Sequence, residues 1–306
     1  MTSALVVGYG SIGARHARIL EELGCAVGVV SARNGVHARR FADLARAFDA
    51  FTPDYVVIAN ETTKHLPALA ELERLGYDGP VLVEKPLGEP GQPPYGGKNG
   101  AIFVAYNLRF HPLVLELKRR IEGHRLISAE VRCGSHLPDW RSGRDYRETA
   151  SAKKASGGGV LRDLSHELDF ANWLFGPWKR LAAAGGRLGP LEIETEDVFA
   201  LLVESDACPV LTVSLNYLER REERRIVVNT RKTTLCADLI AGTLHDGADA
   251  VFTIESFDIE DTYRKEHETI LAGKPAGCCT LAEGERVRAM IAAAEKAART
   301  GAWVSR

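Results

Sequence analysis

Six residues near the N-terminus, Gly8-Tyr9-Gly10-Ser11-Ile12-Gly13, combine a type and a spacing that can do chemistry. They directly follow a β-branched apolar run, Ala4-Leu5-Val6-Val7, and directly precede a helical pattern in Ala14, Ala17, Ile19, Leu20 and Leu23. That order supplies what a dinucleotide pyrophosphate needs in one place: a tight turn, backbone N–H groups with no side chain in the way, and the positive end of a helix dipole. In this reading Gly8 makes the turn, Gly10 lets the backbone approach phosphate, and Gly13 lets helix and strand pack closely. A chain with 29 glycines produces such a string by chance, so its place between strand and helix is what gives it weight.

A second candidate lies at the end of the next strand pattern. An NAD-binding chain usually carries Asp or Glu there for the ribose 2′-OH. Here Val27-Gly28-Val29-Val30 runs into Ser31-Ala32-Arg33, and no carboxylate appears before Asp43. A hydroxyl plus a guanidinium suits a 2′-phosphate, which Arg clamps with two parallel hydrogen bonds. NADP(H) is therefore the expected cofactor, with NAD(H) possible. The alternative is that Arg33 is only a solvated loop residue.

A third candidate is the segment Val160–Phe175, read as one helix. Leu161, Leu164, Leu168, Ala171 and Phe175 form a core stripe. Asp163, His166 and Phe170 lie on another side, of mixed polarity, as a cleft wall would be. Asp163 and His166, three apart, can touch. A carboxylate raises the pKa of a neighbouring imidazole and fixes its orientation, so His166 is the expected general acid/base. The alternative is a structural histidine.

The elements that must position these residues alternate through the first third. Strands are expected at Leu5–Val7, Val27–Val30, Tyr55–Ala59, Val81–Val83 and Ile102–Tyr106, with helices at Ser11–Leu23, Val36–Phe48 and Thr63–Leu75. Short, fully apolar strands between helices imply a parallel sheet covered on both faces. Beyond Leu108 a helix at Pro112–Ile121 precedes strand patterns at Leu126–Cys133, Val198–Glu204, Val210–Tyr217, Arg225–Asn229, Thr233–Leu239 and Ala250–Glu255, which implies a mainly antiparallel sheet. The end, Leu281–Arg299, reads as helix.

Val83-Glu84-Lys85-Pro86 follows the fourth strand, and together with the N-terminal glycines it resembles the Gfo/Idh/MocA family of oxidoreductases. Val57-Ile58-Ala59 with Thr62 and His65 is similar to the family's third-strand loop. Tyr106-Asn107-Leu108-Arg109-Phe110-His111-Pro112 resembles its domain junction, and Gly157-Gly158-Gly159 leading to Asp163, His166 and Asp169 its substrate-domain helix. The resemblance implies an α/β fold: an N-terminal Rossmann domain, residues 1–108, with a doubly wound parallel sheet, and a C-terminal α+β domain, residues 109–306, with an open, mainly antiparallel sheet. It implies an active site between them where NAD(P) serves to oxidise or reduce a sugar, polyol or sugar nucleotide.

The resemblance also implies roles. Lys85, at the carboxyl end of a parallel strand and held extended by Pro86, would hydrogen-bond the reacting oxygen or the nicotinamide ribose; the alternative is a surface lysine paired with Glu84. Tyr9, Ser11, Ile12, Asn60, His65 and Glu84 would border the cofactor. Asn107 and Arg109 would approach substrate hydroxyls or else form a structural junction. The loop 136–159, with Trp140, Arg141 and Tyr146, would be a lid that meets a phosphorylated substrate such as a nucleotide sugar, or else a solvated basic loop. Many family members place this histidine four residues after the aspartate, and here the interval is three, so either Asp163 does not superpose on its counterpart or the helix is entered differently. Its helix after the fourth strand is replaced by the Gly/Pro-rich stretch 88–100, which cannot hold a stable helix. One sheet face there should be thinly covered or filled by a partner subunit.

Composition narrows the class. The 306 residues carry a net charge of −2, which offers no basic field for nucleic acid, and no apolar run approaches a bilayer span. The N-terminus opens on a strand, leaving no room for a signal peptide. Six scattered cysteines without C-x-x-C spacing read as reduced thiols in a cytoplasm, with no metal site. A homodimer or homotetramer is expected from the resemblance. Two other functions stay open: a glycosidase that uses tightly held NAD for transient oxidation, and a non-catalytic cofactor-binding regulator.

Overall fold

The computed structural model describes residues 1–97 and 101–306, so the end of the stretch 88–100 lies outside the described residues. In chain order the elements are β1 (Ser3–Val7), α1 (Ser11–Glu22), β2 (Ala26–Val30), β3 (Arg40–Phe41), α2 (Leu44–Ala50), β4 (Tyr55–Ile58), α3 (His65–Arg74), β5 (Val81–Val83) and β6 (Ile102–Val104). There follow α4 (Pro112–Ile121), β7 (Leu126–Gly134), α5 (Val160–Asp163), α6 (Ser165–Phe175), β8 (Trp178–Gly186), β9 (Val198–Ser205), β10 (Val210–Asn216), β11 (Glu223–Thr230), β12 (Thr234–Asp238), β13 (Thr243–Asp246) and β14 (Asp249–Thr253). The chain closes with α7 (Glu260–Leu271), β15 (Cys279–Thr280), α8 (Leu281–Thr300) and β16 (Val304–Ser305). They form two compact units, Met1–Phe110 with Asp258–Glu285, and His111–Phe257 with Arg286–Arg306. The second unit starts near the expected boundary, but the chain returns to the first over Asp258–Glu285.

The first unit is a Rossmann sheet in the order β3-β2-β1-β4-β5-β6-β15, parallel throughout except for β15. Strand order reverses between β1 and β4, and ligand crevices form outside the carboxyl ends of strands at such a point. Ala4, Val6, Val27, Val29, Tyr55, Val57, Leu82 and Phe103 pack with Ala17 and Leu20 of α1 and Ile270 of α7. The alternate residues Leu5, Val56 and Ile58 are equally buried. A parallel strand covered on both faces reads as such a continuous apolar run.

Two expectations need correction here. The helix expected over Val36–Phe48 is instead β3, which extends the parallel sheet, and the short α2, whose start is set by the Asp43 side chain accepting the Arg46 N–H. Gly35 at φ 68° turns the chain before them, a conformation that interrupts a right-handed helix. Nor is the sheet thinly covered beside the Gly/Pro-rich stretch. Phe103 and Ala105 share a cluster with Ile270 and Cys278, while a Cβ added at Gly284 would stand 2.4 Å from Val104. Tyr95 donates its N–H to Glu285 at 3.0 Å. The returning segment does what the missing helix would have done, with no partner subunit needed.

The second unit is a nine-stranded sheet in the order β14-β13-β12-β11-β7-β10-β9-β8-β16, in which β7 and β10 are the parallel neighbours and the other pairs run antiparallel. The alternation is that of a sheet with one covered face: Ala129, Val131, Cys133, Leu211, Val213 and Leu215 are buried, while Thr212 and Leu202 are exposed. Helix α6 packs on β7 and β10, and α4 on β12. Fully buried Glu167 of α6 pairs with Arg224 of β11 at 2.8 Å, fixing the helix on the sheet.

Candidate active site

The glycine turn of the first unit has the three properties a pyrophosphate cradle needs. Gly8 takes φ 99°, and a Cβ there would meet Asn60 N at 2.6 Å. A Cβ at Gly13 would meet Gly8 O at 2.1 Å, so only glycine lets α1 approach β1 this closely. A Cβ at Gly10 would meet nothing within 4 Å, and no side chain caps α1 at this residue. The first-turn N–H groups beside Tyr9, Ser11 and Ile12 are thus presented where the helix dipole is positive. Asn60, just past β4, has a buried Oδ1 with no hydrogen-bond partner among the described residues. An orphaned acceptor beside an uncapped helix start fits an ordered polar ligand such as a dinucleotide.

At the end of β2, Ser31 is buried. Its Oγ accepts the Arg33 N–H at 3.2 Å, and its carbonyl accepts Arg40 Nε at 2.8 Å. The exposed Arg33 guanidinium folds onto the Tyr9 carbonyl, which sets it over the glycine turn. Two guanidinium groups and one hydroxyl therefore border this strand end, a set that can bind phosphate.

Past β5 the Lys85–Pro86 peptide is cis, and Lys85 is half-buried. Glu84 turns inward: its Oε1 lies 2.9 Å from His16 Nε2 and its Oε2 accepts the Lys85 N–H at 2.9 Å. Burial works to raise the Glu84 carboxyl, but the His16 bond and the charges of His16 and Lys85 hold it below its ordinary value. His65, expected to border the cofactor, is 1% exposed, and its ring nitrogens meet the carbonyl oxygens of Pro86 (2.9 Å) and Asn60 (3.1 Å). Burial lowers its pKa. His65 and Glu84 are tied into the protein, where they fix the two loops.

The junction residues are likewise tied inward. Asn107 donates to Thr262 Oγ1 at 2.6 Å, and Arg109, 1% exposed, pairs with Glu283 at 3.2 Å. A guanidinium buried this deeply needs its carboxylate, a pairing that suits the structural-junction reading of this segment.

In the second unit the expected single helix Val160–Phe175 is two. Leu164, at φ −96° and ψ 31°, ends α5 and precedes α6, so Asp163 and His166 stand on different helices. The segment is thus entered in two steps, with a break between Asp163 and His166. His166 is 8% exposed. Asp163 has a partner that sequence reasoning missed: the Tyr217 hydroxyl donates to its Oδ2 at 2.6 Å. Tyr217 is fully buried, and burial followed by the Asp163 charge pushes its pKa well up, so it acts as a donor. Trp140 stands edge-on to the Tyr217 ring at 5.3 Å and donates to Ser135 Oγ at 2.8 Å. Tyr217 was visible only as the last residue of an apolar strand pattern, which gave no sign of a carboxylate 54 positions away.

In the loop 136–159, Arg141 is exposed and Tyr146 half-buried, its hydroxyl accepting the Glu192 N–H at 3.2 Å. Arg147 is neutralised by Asp145 and Glu192. Among the described residues there is no cluster of three metal-ligating side chains, and no helix long and apolar enough to cross a membrane.

Residues 120–236 match the family model described as the GFO/IDH/MocA C-terminal domain. A search of curated protein sequences gives no match. Solved structures similar over the whole chain include GenD2 from gentamicin A biosynthesis in complex with NAD (22% identity, 100% of this chain and 96% of that one, TM-score 0.78). Levoglucosan dehydrogenase in complex with NADH matches at 16% identity over 99% and 98%, with TM-score 0.85. The WlbA dehydrogenase from Bordetella pertussis, in complex with NADH and UDP-GlcNAcA, matches at 17% over 99% and 98%, with TM-score 0.77. At these identities the likeness establishes the fold.

Proposed function

We propose, for a chain that carries the GFO/IDH/MocA C-terminal domain behind a Rossmann unit, an NAD(P)-dependent oxidoreductase acting on a carbinol or carbonyl carbon of a sugar, polyol or nucleotide sugar. The observation that carries this reading is the glycine turn, where Gly8 and Gly13 permit no Cβ while Gly10 faces open space beside an uncapped helix start. Gly8, Tyr9, Gly10, Ser11, Ile12, Gly13 and Asn60 hold the dinucleotide. The nicotinamide, when bound, supplies or accepts the hydride.

The remaining work falls to this chain's own side chains. Lys85, whose backbone is fixed by Glu84, donates a hydrogen bond to the reacting oxygen and stabilises its developing negative charge. His166 is the general acid/base. Asp163, held by Tyr217, orients this end of the substrate pocket. Trp140, Arg141 and Tyr146 line the substrate's approach, and the partly screened positive charge of their loop suits a phosphorylated sugar.

The preferred cofactor is NADP(H). The similar structures hold NAD or NADH, so this preference rests on Ser31 and Arg33 and on the missing carboxylate at the β2 end. A cytoplasmic setting is supported by six scattered cysteines without C-x-x-C spacing. A homo-oligomer is supported by exposed Leu202 and Val210, which the strand register puts on one face of the second sheet. The test is a nicotinamide absorbance screen of sugars, polyols and nucleotide sugars with both cofactors. Net absorbance change with at least one class supports the reading; free sugar released without net change, or no turnover at all, refutes it.

A further inference from the structure

Behind the Glu84-Lys85 turn the first unit buries a continuous row of titratable side chains. His16 Nε2 lies 2.9 Å from Glu84 Oε1, His16 Nδ1 lies 2.8 Å from His267 Nε2, and His267 Nδ1 lies 3.0 Å from the Tyr55 hydroxyl. His16, His267 and Tyr55 are fully buried and Glu84 is 7% exposed. Four elements contribute: α1, the loop after β5, α7 and β4. Packing alone does not call for two histidines and a tyrosine in file, since apolar side chains of similar volume fill such space at lower desolvation cost.

The chemistry of the groups fixes the donor of the first bond. A carboxylate only accepts, so His16 Nε2–H donates to Glu84. His16 Nδ1 and His267 Nε2 share one proton between them, and His267 Nδ1 faces the Tyr55 hydroxyl. Burial, and then the nearby His16, hold His267 well below its ordinary pKa, in keeping with a neutral ring. Each Glu84 oxygen is thereby fixed, one by His16 and the other by the Lys85 N–H.

We infer that His16, backed by His267 and Tyr55, is a positioning residue for the Glu84-Lys85 turn: it holds the Glu84 carboxylate ionised and oriented, and through it sets the backbone from which Lys85 reaches the reacting oxygen. The inference rests on the reading of Lys85 as a working residue. The other titratable groups that interact with Glu84 are Lys85 itself, His65 on α3 and Tyr263 on α7, and Tyr263 in turn meets Arg15 on α1 and Glu266 on α7. His16 and the Lys85 N–H both bond the carboxylate.

The test follows the Glu84 carboxyl by NMR in protein labelled with ¹³Cδ-glutamate, assigned with Glu84→Gln, alongside kcat against pH. In His16→Leu the Glu84 titration should rise by about one pH unit, because the donor that favours its charged form is gone. The acid limb of kcat should follow, kcat should fall by about tenfold or more, and NADPH affinity should stay within about twofold. His16→Gln keeps an N–H donor and should restore both the titration and the acid limb. If His16→Leu does not fold, Tyr55→Phe carries the test, with a smaller shift in the same direction. An unchanged Glu84 titration, a shift that the acid limb does not follow, or a His16→Gln variant as impaired as His16→Leu would overturn the inference. If the wild type turns over nothing, the oxidoreductase reading fails, and the Glu84 titrations by themselves still decide whether His16 holds the carboxylate.

Discussion

The Tyr217 hydroxyl donates to Asp163 Oδ2 at 2.6 Å, joining the end of β10 to the last residue of α5. This bond, with the edge-on Trp140 ring behind it, fixes the point at which the helical segment breaks before His166. Tyr217→Phe removes the bond while keeping the ring. Stability should fall by about 2 kcal/mol, in the range for a hydrogen bond to a charged group, and turnover should fall more than cofactor affinity does. Urea unfolding and a kcat-against-KM comparison check both.

The glycine turn gives a pair of opposite expectations. Gly13→Ala forces a methyl against Gly8 O and should cost about 2–3 kcal/mol of stability, as overpacking does. Gly10→Ala meets open space, so it should leave stability within about 0.5 kcal/mol but weaken dinucleotide binding by about tenfold, or 1.4 kcal/mol. Thermal unfolding and cofactor titration of the two variants separate a packing role from a ligand role.

Arg33→Ala should lower NADPH affinity by about ten- to a hundredfold, the worth of a charge-assisted bond, and leave NADH affinity nearly unchanged. Equal losses for both cofactors in direct titration would assign Arg33 to the turn through its Tyr9 contact instead.

His111 makes stability depend on pH. It is 3% exposed, its Nδ1 accepts the Leu113 N–H at the start of α4, and burial, with Arg224 nearby, lowers its pKa to about 4. The unfolded chain binds a proton near pH 6.5 that the folded one refuses until about 4. The contribution is therefore fully present above 6.5 and is lost as pH falls towards 4. The loss should reach about 3 kcal/mol at most. His111→Asn keeps a capping acceptor but does not titrate, so its unfolding free energy should fall less steeply between these pH values.

Much of this was legible in the sequence because it is local. The β1–turn–α1 order, the short apolar strands and the Glu84-Lys85-Pro86 string each announce themselves within a few residues. Helix α7 did not: its buried positions are Thr262, Glu266, His267 and Ile270, a face too polar to register as a core stripe. The break at Leu164 was hidden because the apolar spacing continues through it. The partners of His65, Glu84, Asn107 and Arg109 were not legible in the same way. Residue type reports that a polar group is present; which way it turns depends on partners such as Thr262 and Glu283, more than 150 positions away.

The most direct measurement of the central claim is the stoichiometry of nicotinamide consumed to product formed, in wild type and in Lys85→Met, on whichever carbinol or carbonyl substrate the screen yields. The account predicts one nicotinamide per product in the wild type, with turnover in Lys85→Met reduced by about a hundredfold or more and coenzyme still bound. Product formed without nicotinamide consumption, or Lys85→Met turning over at the wild-type rate, would contradict it.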